Sequence, residues 1–367
     1  MKFLIIGWGA GDSFSGGMDV HVLNVSKALA KKGHSVTLFA TDGKPTETIK
    51  NLKIIPVNLA KKPNSIDDFI SAVKEYNEKI KSSSKELDFD VIISHDWIGV
   101  AAAEKIKDTT GKLWLHTVHS LEHMRSLNDS KGDIEKFEKK GIVGADTVFT
   151  VSNFMKDAIH ERYRRTTEVI YNGSSFGVNE LVERNPYSTH TVLYVGRLTA
   201  QKGIEYLILA AKKILGVVPN ARFIIVGTGE LEESLKSFAL ALGFFDSFEF
   251  LGFISKKRLA ELYSTASVFA SPSIYEPFGI TVLDAVLFSC PVVATKNTGA
   301  NELFSCGITI VEPQDSVSLS DAVVRVLKNH DEFEALAKNA KVVVETKDFW
   351  AECGRIIEKT SVSKNAD

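Results

Sequence analysis

The chain has only three cysteines and nine prolines in 367 residues, and no uninterrupted apolar run long enough to cross a bilayer, which takes about 20 residues as a helix. Cys290, Cys306 and Cys353 are widely separated and odd in number. That excludes a disulfide framework and a cysteine-built zinc site, and a reducing cytoplasm is the expected location. Excess charge is missing as well: the formal net charge is −2, whereas a nucleic-acid platform needs a concentrated basic field. Low-complexity tracts and short-period repeats are absent. The opening MKFLIIGWGAGD carries one lysine and a short apolar run broken by glycines, so it reads as a first strand and not as a signal peptide.

What is present suits two well-packed α/β domains. Hydrophobic residues make up 44% and charged residues 25%, with 25 glycines, and the length is comfortable for two cores. Short β-branched runs at 3–7, 36–40, 91–95, 113–119 and 147–152 alternate with helical-period segments such as 20–34. This βαβ grammar predicts a parallel sheet with helices on both faces. It restarts at 192–196, 223–227, 248–252, 268–271 and 292–295, with helices over 205–215 and 318–329. The stretch 171–190 between the series is rich in Gly, Ser and Asn and reads as a hinge. The expected division is 1–175, 176–345 and a closing helix over 346–367 that crosses back to the first domain.

Ligands of open α/β sheets sit outside the carboxyl ends of the strands, so strand exits hold the candidate site residues. Arg197 leaves one strand, and Lys202 follows it just before a helix. A guanidinium fork and an ammonium together suit a diphosphate. Glu276 lies in a proline-bounded turn, and Phe278-Gly279-Ile280-Thr281 opens a helix whose free N–H groups favour a phosphate. Glu276 suits hydroxyls better than phosphate, and Asp284, two helical turns on, is a candidate for a ribose diol. The exits at Gly227 and Phe253 complete the donor set. In the first half, Gly16 and Gly17 precede a helix and allow close backbone approach, although the spacing is not that of a dinucleotide fingerprint.

Two histidine-bearing stretches, SHDW (94–97) and HTVHSLEH (116–123), end strands of the first half. His119 is placed to stabilise charge or meet a sugar hydroxyl, while His116 reads as a core histidine, and Asp96 and Trp97 are taken to face an acceptor. A metal site among His95, His116, His119 and His123 is not expected, because their spacing offers no helical ligand pair. Asp88-Phe89-Asp90 matches a DxD metal-binding string but precedes its strand, and so belongs to the opposite end of the sheet.

Nine segments, among them SGGMDVHVLNVSKALAKKGHSVTLFAT, FDVIISHDW, TVHSLEHMRSL, VLYVGRLTAQKGIEYLILAA and SPSIYEPFGITVLDA, occur in an order that resembles the retaining GT-B glycosyltransferases of the glycogen and starch synthase group. The resemblance implies two Rossmann-like doubly wound domains facing a central cleft. It also implies transfer with retention from a UDP-, ADP- or GDP-sugar without metal or other cofactor. On that template Arg197 and Lys202 neutralise the leaving diphosphate, Glu276 holds donor-sugar hydroxyls, His119 meets the sugar near its reacting carbon, and Gly16-Gly17 approach the donor. HDW with TVHSLE leans toward a glucosyl donor and an α-glucan acceptor. A mannosyl- or other hexosyltransferase with a lipid or small-molecule acceptor, working at a membrane face, is the alternative. A sugar-nucleotide epimerase and a silent scaffold stand behind it. Two departures from the family pattern are Asp284, where many members carry Glu, and Ser174-Ser175-Phe176 after Tyr171-Asn172-Gly173.

Overall fold

The computed structural model describes the chain apart from residues 11–15, 42–48, 62, 64, 128–131, 186–189 and 367. The middle of the first glycine-rich loop and part of the predicted hinge therefore lie outside the described residues. Two compact units emerge. The first comprises Met1–Met124, Asn128–Asn172 and Phe349–Asp367, and the second Arg125–Leu127 and Gly173–Asp348.

In chain order the first unit begins β1 (Lys2–Ile6), α1 (Gly17–Lys31), β2 (Ser35–Ala40), β3 (Leu52–Pro56), α2 (Ile66–Ser83), β4 (Val91–His95), α3 (Val100–Thr110) and β5 (Leu113–Val118). The single turn α4 (Glu122–Arg125) follows, then α5 (Gly132–Gly144), β6 (Thr147–Thr150), α6 (Asn153–Tyr163) and the two-residue β7 (Glu168–Val169). All seven strands are parallel, in the order β3-β2-β1-β4-β5-β6-β7. Phe3, Leu4, Ile5 and Ile6 are all buried, as the inner strand of a sheet covered on both faces must be. The order reverses between β1 and β4, which opens a crevice at their carboxyl ends.

The second unit repeats the plan with β8 (Thr191–Val195), α7 (Ile204–Val217), β9 (Arg222–Val226), α8 (Glu232–Ala241), β10 (Phe248–Gly252), α9 (Lys256–Thr265) and β11 (Val268–Ser271). It continues through α10 (Ile280–Leu287), β12 (Val292–Thr295), β13 (Ile308–Val311), α11 (Ser316–Lys328) and α12 (His330–Thr346). Its parallel sheet runs β10-β9-β8-β11-β12-β13, so the reversal falls between β8 and β11. Val192, Ile208, Phe223, Val268 and Val323 form part of one core cluster.

The final helix, α13 (Phe349–Ala366), packs on α1 within the first unit. Gly354 admits Ala28 of α1, the Cys353 thiol donates to Tyr171 O at 3.0 Å, and Glu358 meets Lys32 Nζ at 2.9 Å and His34 Nε2 at 3.1 Å.

Candidate active site

The exits of β8 and β11, which flank the reversal in the second unit, carry the predicted diphosphate residues. Arg197 is the second residue after β8 and is exposed. Its backbone carbonyl accepts the Tyr194 hydroxyl at 2.8 Å. Lys202 closes a single 3-10 turn before α7. Its Nζ lies 2.6 Å from Glu276 Oε2, with side-chain exposures of 14% and 12%. Sequence reasoning placed the two residues at one site without foreseeing that they pair directly. Ser273 Oγ also reaches Glu276 Oε2, at 3.4 Å.

The turn carrying Glu276 is fixed by its backbone. Glu276 N donates to Asn297 O and Gly299 N donates to Glu276 O, both at 3.0 Å, so the segment pairs with the loop after β12. Gly279 caps α10 at φ +99, a left-handed conformation that side chains disfavour, and a Cβ there would come 3.1 Å from Glu276 Cγ. The first N–H groups of α10 thereby open beside an ion pair, which is an anion-binding arrangement. Phe278 and Ile280 are buried and Thr281 half-buried.

The neighbouring exits are stitched together at Gly227. Its N–H donates to Gly252 O at 2.8 Å, its φ is +124, and a Cβ would lie 1.9 Å from Gly196 O. Gly227→Ala is expected to destabilise the second unit by on the order of 3 kcal/mol, from left-handed strain and backbone collision together. A urea denaturation midpoint within error of wild type would contradict this packing. Phe253, just beyond β10, is 68% exposed.

Asp284 is not presented as the ribose contact that sequence reasoning assigned it. It is buried, and both its oxygens are taken: Ser174 Oγ donates to Oδ1 at 2.7 Å, Ser175 N to Oδ1 at 2.8 Å and Ser175 Oγ to Oδ2 at 2.7 Å. Burial raises its pKa to about 6 despite those three bonds. The shorter carboxylate and the Ser174-Ser175 replacement are thus one feature: the side chain that reaches less far is satisfied by the two hydroxyls after Gly173.

The first unit brings His95 and His119 together at the carboxyl ends of β4 and β5. Asp96, at φ +45, accepts His119 N at 2.7 Å and Ser120 N at 3.3 Å, so its carboxylate shapes the loop that carries His119. His95 Nδ1 and His119 Nε2 are 3.0 Å apart, and the rings stack with centroids 5.3 Å apart. His21, from α1, stands edge-on to His119 at 4.6 Å. Its Nδ1 lies 2.7 Å from Asn172 Oδ1. Burial lowers the His21 pKa to about 4 and holds His95 and His119 well below the usual imidazole range. His116 is a core residue: Ser94 Oγ lies 2.9 Å from its Nδ1, and burial lowers its pKa to about 3.

Trp97 corrects the acceptor-side expectation. It is 5% exposed and packs edge-on to Phe69, so its indole belongs to the core. Gly16 is extended at the start of α1, with no atom of the described residues within 4 Å of where a Cβ would stand, and Gly17 is exposed. Asp88 pairs with Lys2 Nζ, and Asp90 Oδ2 accepts Lys2 N at 2.8 Å. The DxD string therefore sits at the amino ends of β1 and β4, away from the strand exits. Sequence reasoning missed His21 and Asn172; the available signal was an imidazole between Val20 and Val22 in an apolar helix pattern.

Comparison with known proteins decides the family. Residues 182–343 match the family described as glycosyl transferases group 1, and residues 15–175 match glycosyltransferase family 4. The chain is a group 1 glycosyltransferase. An uncharacterized glycosyltransferase of Methanocaldococcus jannaschii is 29% identical, with 95% of each chain covered. A D-inositol 3-phosphate glycosyltransferase of Corynebacterium urealyticum is 26% identical over 90% of this chain and 87% of that one. Among solved structures, sucrose-phosphate synthase from Thermosynechococcus elongatus superposes with a TM-score of 0.84 at 22% identity, with 100% of each chain covered. The fold of this glycosyltransferase is accordingly GT-B, with two Rossmann-like parallel-sheet domains. None of its described helices is long and apolar enough to cross a membrane.

Proposed function

We propose that this glycosyltransferase moves a hexose, with glucose the expected sugar, from a nucleoside-diphosphate donor to an acceptor hydroxyl with retention of configuration and without a metal ion. The observation that carries this reading is the Lys202–Glu276 pair beside the Gly279-capped helix start, with Arg197 at the exit of β8, at the sheet reversal of the second unit. Two cations and a set of free N–H groups supply what a leaving diphosphate needs. Donor binding would draw Lys202 toward phosphate oxygens and release Glu276 for sugar hydroxyls. His119, whose buried ring is held below the usual imidazole range, would meet the sugar as an uncharged group. Its site is expected in the cytoplasm, in keeping with three free cysteines.

An α-glucan acceptor is favoured by the HDW and TVHSLE segments. A small-molecule acceptor is favoured by the relative named for D-inositol 3-phosphate. A thermal-shift panel of UDP-, ADP- and GDP-sugars tests the donor side. One donor at a hundredfold excess over its Kd is expected to stabilise the folded chain by about 2.7 kcal/mol. Failure of every nucleotide sugar to raise the Tm would overturn the reading. GDP-mannose as the sole stabiliser would move the assignment from glucose to mannose.

A further inference from the structure

Three histidines of the first unit come together although α1 supplies one and the ends of β4 and β5 supply the others. His21, His95 and His119 each offer one ring nitrogen, and the three nitrogens lie within 4.8 Å of one another. The rings are 0%, 1% and 9% exposed. His21 Nε2 is buried and makes no hydrogen bond, a costly condition for a polar atom in a protein interior.

We propose that His21, His95 and His119 form a binding site for one divalent transition-metal cation of the zinc class, with imidazole nitrogens as its protein ligands. Zinc–nitrogen bonds of about 2.0–2.1 Å in a tetrahedral site place ligand nitrogens about 3.3 Å apart. His95 Nδ1 and His119 Nε2 stand at 3.0 Å, so the donor ring's shift to its other tautomer frees both with little movement. Asn172 Oδ1 can only accept, so the His21 nitrogen facing it, Nδ1, carries the proton and Nε2 presents its lone pair. This is the outer-shell hydrogen bond that orients a metal-binding histidine. Asp96 performs the corresponding task for the backbone of His119. The trio contains no carboxylate, which disfavours magnesium and calcium and leaves the cations that imidazole suits. His119, the most exposed of the three, marks the side from which an ion enters. The ion is not required for the proposed transfer, and by taking up the imidazole of His119 it would compete with the donor sugar.

The test uses the full untagged chain, stripped with chelator, loaded with Zn²⁺ and dialysed, and it reads metal content and X-ray absorption without any transfer assay. Its outcome is therefore independent of the sugar-transfer reading. One zinc per chain in a nitrogen-rich shell with imidazole scattering is expected. Asn172→Ala is expected to weaken zinc binding about tenfold or more, and His21→Gln and His95→Gln to abolish stoichiometric uptake, while exposed His160→Gln retains it. No retained zinc overturns the proposal, as does a sulfur- or oxygen-only shell, which would point to Cys306 or surface carboxylates. Unchanged uptake in His21→Gln and His95→Gln overturns it equally. Should those variants fail to fold, the absorption spectrum of the wild-type protein alone decides.

Discussion

Lys202→Ala is expected to lower kcat by about 10²–10³-fold, the usual effect of removing one preorganised charge aimed at a developing anion. The loss should fall mainly on kcat and on kcat/KM together, because the interaction with the diphosphate strengthens as negative charge accumulates on it. There is a second consequence, for stability. Lys202 and Glu276 are only 14% and 12% exposed, so truncation leaves a nearly buried carboxylate without its cation, at a cost on the order of 3 kcal/mol. Lys202→Arg should recover stability before activity, since it restores charge but not the position of a single ammonium. Steady-state kinetics beside urea denaturation separate the two effects. A Lys202→Ala enzyme with near wild-type kcat/KM would remove Lys202 from the site.

Acid is expected to act in opposite directions on a buried group of each unit. His116 is wholly buried, and burial lowers its pKa to about 3, whereas an unfolded histidine titrates near 6.5. Below pH 6.5 the unfolded chain binds a proton that folded His116 refuses. The stability this group permits is therefore complete above pH 6.5 and is lost progressively as pH falls toward 3. At pH 5 the loss is about 2 kcal/mol from this one residue. Asp284 in the second unit has the opposite sign. Burial raises its pKa to about 6, so between pH 6 and the unfolded value near 4 the folded state takes up the proton first and gains stability as pH falls. Urea denaturation at pH 7 and pH 5, with chelator present, should show a loss that His116→Gln reduces by about 2 kcal/mol. An identical loss in the variant would contradict the account of His116.

The inner strands were legible because parallel strands covered on both faces read as continuous apolar runs. β1, β4 and β11 are buried along nearly their whole length. The edges were not. β3 and β13 are half-exposed, and β7 has two residues, too few for a period to register. α2 and α12 escaped notice because charged residues dilute the apolar stripe, as in IDDFISAVKEYNEKIKSS.

The candidate site was legible as residue types at strand exits, which pointed to Arg197, Lys202, Glu276 and Gly279 as one set, and the structure brings Lys202, Glu276 and Gly279 together. Partnerships were hidden, because they depend on reach. The Lys202–Glu276 pair spans 74 residues, and the Asp284–Ser174 bond spans 110. His21 joins His95 and His119 only after α1 has packed against the sheet. Trp97 differs from the expectation because a loop tryptophan closing HDW looks like a ligand platform until its neighbour Phe69 is known.

The most direct test of the diphosphate site is calorimetric titration of the nucleoside diphosphate from the best stabilising donor into wild-type protein and an Arg197→Ala/Lys202→Ala double variant. Two charge-assisted contacts, at about 1.5–3 kcal/mol each, predict at least a hundredfold weaker binding in a variant that remains folded. Equal affinity of the two proteins for the diphosphate would contradict the account.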